Sequence, residues 1–183
     1  MLSEKQRKVR AHTSTIMNIL KEERVKRFAE IGVWKARSAK RMLKGLSVSD
    51  LEEYWTIDPW DINFAYTRTE KRRTEKDWFK MYWYCCRLMT YFPRLRVLRM
   101  VSRSAADMFP DGYFDMVFID AIHTFHHVNA DIGYWLPKVR KGGIIAGHDY
   151  GHKRYIGVTE AVNKWFGEDI EVWKRPQVWI KRL

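Results

Sequence analysis

Cysteine is almost missing from this chain: Cys85 and Cys86 are the only two, and they are neighbours. Adjacent cysteines are poorly placed to bond to each other, so no disulfide framework is available and a reducing, cytoplasmic setting is expected. Long apolar runs are missing too. None approaches the roughly 18 uninterrupted residues that a membrane-spanning helix needs, and the charged first fifteen residues do not read as a leader. No membrane partner is therefore expected. Acids are the scarcer charge, 22 Asp and Glu against 34 Lys and Arg, which leaves a formal net charge of +12. Such a field attracts phosphates, nucleic acids and anionic acceptors without choosing among them. With no internal repeat and no low-complexity linker, 183 residues read as one domain carrying at most a terminal arm.

What the chain does have is 46% hydrophobic residues, with nine each of Trp, Tyr and Phe, enough to bury a core. Residues 3–24 are dense in Lys, Arg and Glu around one apolar cluster, Ile16, Met17, Ile19 and Leu20, and predict a basic helical arm over 1–24. RFAEIG (27–32) predicts a strand that stops at glycine, and WKARSAKRMLKG a helix that stops at Gly45. YWTID (54–58) predicts a second strand closed by Pro59, and residues 59–74 a loop. From Trp78, the positions Met81, Tyr82, Cys85, Leu88, Met89 and Phe92 keep helical spacing up to Pro93 and predict a core-facing stripe. Further strands are expected at LRVLRM (95–100), YFDMVFID (113–120) and GGIIAGHD (142–149). Helices are expected over 102–109, through Val128, Ile132, Trp135 and Leu136 up to Gly142-Gly143, and through Val158, Ala161, Val162, Trp165 and Phe166. EDIEVWK and QVWIKRL alternate as a closing hairpin.

Strands that alternate with helical stripes predict an α/β fold. The expected form is a Rossmann-like, open, twisted and mostly parallel seven-stranded sheet with helices on both faces and a C-terminal antiparallel hairpin. In such sheets ligands bind beyond the carboxyl ends of the strands. Glu30, Gly32, Asp58, Asp120, His148 and Asp149 all fall at those ends and should share one rim. Gly32 lets a ligand approach the backbone, and the amides that open the next helix, with Ser38 nearby, can donate to a carboxylate. Asp58 can accept from a ribose diol, or cap a turn with Pro59. Asp120 can orient His123, or cap a helix beginning near Thr124. His123, His126 and His127 stand at i, i+3 and i+4 and offer an alternative chelating face. Asp111 and Asp115 read as solvated turn residues.

AEIGVWKARSA (29–39) and the pairing of IDAIH with GGIIAGHDY resemble the class I S-adenosylmethionine-dependent methyltransferases, from about Arg27 to the C-terminus. The resemblance implies a methyltransferase domain over 25–183, with S-adenosylmethionine as cofactor held by Glu30, Gly32, Ser38, Asp58, Ser104 and Asp120. In a metal-dependent branch that methylates sugar hydroxyls, the matching positions imply a divalent ion, magnesium, manganese or another transition metal, on Asp120, His148 and Asp149. The same branch implies His123 as general base, with Asp120 beside it as the second catalytic residue. Two positions depart from the pattern. Ala36 replaces a second glycine, and its methyl is expected to fit if the backbone stays at negative φ. His148 replaces a carboxylate, which moves the preference from magnesium toward metals that accept nitrogen.

The implied function is an S-adenosylmethionine-dependent O-methyltransferase acting on a small hydroxylated acceptor, glycosyl or anionic. An imidazole with a pKa near 6.5 can take the hydroxyl proton at neutral pH. Acceptor choice is assigned to basic and aromatic loop residues, among them Trp60, Tyr66, Trp78, His152 and Tyr155. The +12 balance keeps an RNA or DNA methyltransferase in view, as well as a noncatalytic nucleic-acid-binding protein that retains the fold. A homo-oligomer is compatible with every one of these readings.

Overall fold

The computed structural model describes residues 4–47, 50–175 and 177–183, with side chains from His12 onward. Five strands run parallel: β1 (Arg27–Ile31), β2 (Glu53–Ile57), β3 (Leu95–Leu98), β4 (Phe114–Ile119) and β5 (Val139–Gly147). β6 (Glu171–Trp173) and β7 (Val178–Arg182) form the antiparallel hairpin, and β7 lies beside β5. The order is β3-β2-β1-β4-β5-β7-β6, so the chain leaves β1 in one direction for β2 and β3 and in the other for β4 and β5. That reversal opens a crevice beyond the carboxyl ends of β1 and β4.

Side-chain alternation along β1 assigns the helices to faces. Phe28 packs with Ile16 and Leu20 of α1 (Glu4–Glu22), Leu43 of α2 (Arg37–Gly45), and Met81 and Leu88 of α4 (Glu75–Leu88). Ala29 and Ile31 pack with Ala105 of α5 (Ser102–Ala106), Ile132 and Trp135 of α6 (Phe125–Trp135), and Val158 and Val162 of α7 (Ile156–Phe166). Phe28, Phe114, Phe118, Trp135 and Trp179 are fully buried. Removing one such side chain from water stabilises the fold by roughly 1.5–3 kcal/mol.

Several local expectations are corrected. Residues 59–74 hold a 3-10 turn (Ile62–Phe64) and a short helix, α3 (Arg68–Lys71), because Asp61 and Thr67 each cap a start with their side chains. α4 stops at Leu88, which leaves Met89 exposed rather than in the stripe, and on α7 Trp165 also faces outward. α6 ends in a 3-10 turn at Leu136–Lys138, where Pro137 cannot continue the hydrogen-bond ladder, and β5 starts there instead of at Gly142. Gly142, at φ 71, sits inside β5 where its register with β4 shifts. Asp115 is no solvated turn residue: it accepts the backbone N–H groups of Lys26 and Arg27, each at 2.8 Å, and pairs with Arg140.

Candidate active site

β1 ends at Ile31, and the next residue turns the chain at φ 88 so closely under β4 that a Cβ on Gly32 would lie 2.3 Å from the Asp120 carbonyl oxygen. Only glycine allows that approach. Val33 and Trp34 then donate their backbone N–H groups to one oxygen of Asp58 at 2.9 and 2.8 Å, and Trp60 donates its own to the other at 2.7 Å. Asp58 thus ties the loop after β1 to the loop after β2. Burial raises its pKa, partly offset by those three donors. Ala36 begins α2 at φ 51, not at the negative φ expected of it. An L-residue holds this left-handed conformation at a cost of roughly 1–2 kcal/mol. Trp34, Trp60 and Asp149 also take positive φ, so backbone strain concentrates along this rim.

Beyond β4 and β5 the acids and imidazoles converge. His123 Nε2 lies 2.9 Å from Asp149 and 3.4 Å from Asp120, while His148 Nδ1 lies 3.3 Å from Asp149 and 3.9 Å from Asp120. Burial by itself would lower the His123 pKa, but its hydrogen bonds to the two carboxylates win and lift it to about 10. His148 shifts upward for the same reasons, and Asp120 and Asp149 are held below the usual carboxylate range against their own desolvation. His123 stacks on Tyr155 with ring centroids 4.4 Å apart, and Tyr155 stacks in turn on His152. Its Nδ1 is buried without a hydrogen-bond partner. α1 reaches the same place: His12 packs against the His148 ring at 4.9 Å and contacts Ser38 Oγ at 3.2 Å.

A cavity of about 300 Å³ opens beside this cluster, with Gly32, Asp58, Tyr66, Thr67, Asp120 and His123 among the residues of its wall. Met100, Val101 and Ser102 with Ala130, Asp131 and Tyr134 also line it. Glu30 stands on the opposite face of β1, buried, where the Tyr54 hydroxyl donates to it at 2.6 Å. Ser38 is turned to His12 rather than to the cavity, and Ser104 is exposed on α5, two residues past the serine that faces the cavity. Thr124, not Asp120, caps α6. His123 precedes that helix, so His123, His126 and His127 do not share a helical face, and the latter two are exposed. Trp60 and Trp78, expected on acceptor loops, are buried, and the Trp60 indole donates to the Trp34 carbonyl. Asp131 and Ser102 were invisible to sequence reasoning: a lone acid inside an apolar helical stripe and a serine opening a helix carry no motif.

One ligand atom each from Asp120, His123 and Asp149 lies within 4.8 Å of the others. Two carboxylates and an imidazole suit a divalent transition ion, so the residues present fit a metal, with His148 adjacent as a fourth donor. Among the described residues no helix is long and apolar enough to cross a membrane.

Comparison with known proteins agrees with this fold. Residues 29–150, more than half of the chain, match the Methyltransferase domain family model. An O-methyltransferase from Bacillus cereus, solved in complex with SAH, superposes with a TM-score of 0.61 at 13% identity, over 100% of this chain and 83% of its own. CalS11, a TDP-rhamnose 3'-O-methyltransferase of calicheamicin biosynthesis, superposes at 0.62 with 15% identity, over 99% and 81%. The SAH-bound Podospora anserina methyltransferase PaMTH1 gives 0.57 with 17% identity, over 94% and 78%. A curated relative, the uncharacterized protein y4gI of Sinorhizobium fredii (strain NBRC 101917 / NGR234), is 33% identical over 54 residues, which are 30% of this chain and only 6% of that one. Sheet order, glycine cradle and matched segment agree: the chain belongs to the methyltransferase-domain family and has the architecture of the class I S-adenosylmethionine-dependent methyltransferases.

Proposed function

We propose that this chain transfers the methyl group of S-adenosylmethionine to a hydroxyl of a small acceptor. The observation that carries the reading is the juxtaposition of the Gly32 cradle and cavity with the Asp120–His123–Asp149 cluster at the same sheet rim. The sulfonium donor brings its own leaving group, so the protein has to align an acceptor oxygen with the methyl carbon and dispose of one proton. Tyr66 in the cavity wall and Tyr155, stacked on both His123 and His152, offer ring faces for a sugar or other small acceptor, and Arg154 suits an anionic one.

His123 is the candidate base, with Asp120 holding its ring. In the carboxylate pair its pKa near 10 keeps Nε2 protonated at neutral pH, where it positions rather than deprotonates. A divalent ion on Asp120, Asp149 and His148 or His123 would supply the charge that acidifies a bound hydroxyl and would compete for the carboxylates that now hold the His123 proton.

Calorimetric titration with S-adenosylmethionine, followed by methyl transfer to a panel of glycosides and phenols, tests the reading. Saturable binding in the micromolar range is expected, with turnover reduced at least tenfold in His123→Ala. Absence of binding at millimolar donor would dispose of the enzyme. Activity abolished by a chelator and restored by one divalent ion would support the metal, while full activity in chelator would leave a metal-free site.

A further inference from the structure

Asp131 lies on α6 in the wall of the cavity, outside the acid–imidazole cluster, and is only 6% exposed. Its neighbours in that wall, Met100, Val101, Ala130 and Tyr134, are mostly apolar. The fully buried Trp135 donates its indole N–H to Ser102 Oγ at 2.9 Å, and Ser102 is hydrogen-bonded to Asp131. An indole nitrogen can only donate, so the serine oxygen is the acceptor there and its single proton is directed to Asp131. The ladder fixes the carboxyl group in place but occupies one of its several acceptor positions. Burial raises the Asp131 pKa to about 6, the mark of an acid short of donors in an apolar wall.

Resting on the reading of S-adenosylmethionine as donor, the geometry fixes which part of it meets this wall. The sulfonium has to face Asp120 and His123, which leaves Ser102 and Asp131, in the wall of the same cavity, to meet the base. A purine offers two apolar faces to Met100 and Tyr134, and adenine offers an amine on its edge. We propose that Asp131, positioned by Ser102 and Trp135, accepts a hydrogen bond from the exocyclic amine of the donor's adenine and makes this enzyme select 6-amino over 6-keto purines. A keto oxygen there would face the carboxylate with no proton between them, and a buried acceptor without its donor is rejected strongly.

Paired calorimetric titrations with S-adenosylhomocysteine and S-inosylhomocysteine test this. The wild-type chain is expected to prefer the adenosyl compound by at least about tenfold. Asp131→Asn can turn an amide N–H to the keto oxygen and should shrink or reverse that preference, with the thermal midpoint measured alongside to separate stability from selectivity. If that variant does not fold, Ser102→Ala carries the same comparison, because an unoriented carboxylate should discriminate less. Equal affinity of the wild-type chain for both compounds, or an unchanged ratio in a folded Asp131→Asn, overturns the role of Asp131 while leaving the donor reading intact. Binding of neither compound by the wild-type chain overturns both together.

Discussion

At Gly32 the backbone itself is the functional group. Its φ of 88 and the 2.3 Å that would separate a Cβ from the Asp120 carbonyl oxygen leave no room for a side chain, and the obstacle is backbone, not a side chain able to swing away. A methyl there must push β1 and β4 apart where Asp120 follows β4. Gly32→Ala should therefore lose roughly 2–4 kcal/mol, the combined cost of an αL-type conformation and overpacking. Chemical denaturation reads that loss, and an unchanged midpoint would show that the turn does not press on β4. Ala36 teaches the converse lesson. Its backbone stands at φ 51, in the region that favours glycine, although an L-residue occupies it, so the residue type did not reveal the conformation. Sequence alone put Gly32, Asp58 and Asp120 at strand ends because apolar runs stop there, but it put Glu30 on the same rim, where the structure turns that side chain to Tyr54 on the other face of β1. It missed Asp131 because nothing in a helix sequence tells which of its polar residues faces a cavity.

Among the elements, the segment between β2 and α4 was the least legible, and its physics explains why. It carries no apolar stripe; it is held by polar caps. Thr67 Oγ1 accepts from Glu70 N while Glu70 accepts from Thr67 N, and Thr74 and Asp77 repeat the reciprocal pattern at the start of α4. Trp78, just inside α4, is buried and lines the cavity, so the second box sets where that side chain enters the site. Thr74→Ala should cost about 1 kcal/mol of stability, the usual cost of a lost N-cap. It should also weaken donor binding a few fold, whereas Thr74→Ser should restore both. A stability loss with unaltered donor affinity would separate the cap from the cavity. α1 was legible in part only. Its Ile16, Ile19 and Leu20 declared a stripe, but His12, Thr13 and Thr15 are buried as well and extend that stripe to His148. Polar residues hid a packed face at the spacing 12, 15, 16 and 19.

Taken across the whole molecule, the sheet separates two electrostatic environments. On the cavity side, Asp120 and Asp149 face His123 and His148, and opposite charges offset burial. On the other face of β1, Glu30 has the Tyr54 hydroxyl, the Thr56 and Cys85 side chains nearby and, among the described residues, no cation in contact with it. Desolvation accordingly raises its pKa from the ordinary 4.5 to about 8, against the pull of the Tyr54 hydrogen bond and with help from Asp120 and Asp58. A raised folded pKa means that the proton favours the folded state. The stabilisation is complete below the unfolded value of 4.5 and drains away as pH rises through about 8, to an extent of several kcal/mol because each pKa unit is worth about 1.4 kcal/mol. Glu30→Gln keeps an acceptor for Tyr54 and cannot ionise, so it isolates this one group from the histidine–carboxylate cluster, which titrates in both proteins. The two should be of similar stability at pH 5 and diverge from there, with Glu30→Gln the more stable by a few kcal/mol at pH 8. Urea midpoints measured from pH 5 to 9 decide it: curves that stay parallel would mean that Glu30 is ionised in the folded chain, with water or a cation reaching the buried side of β1.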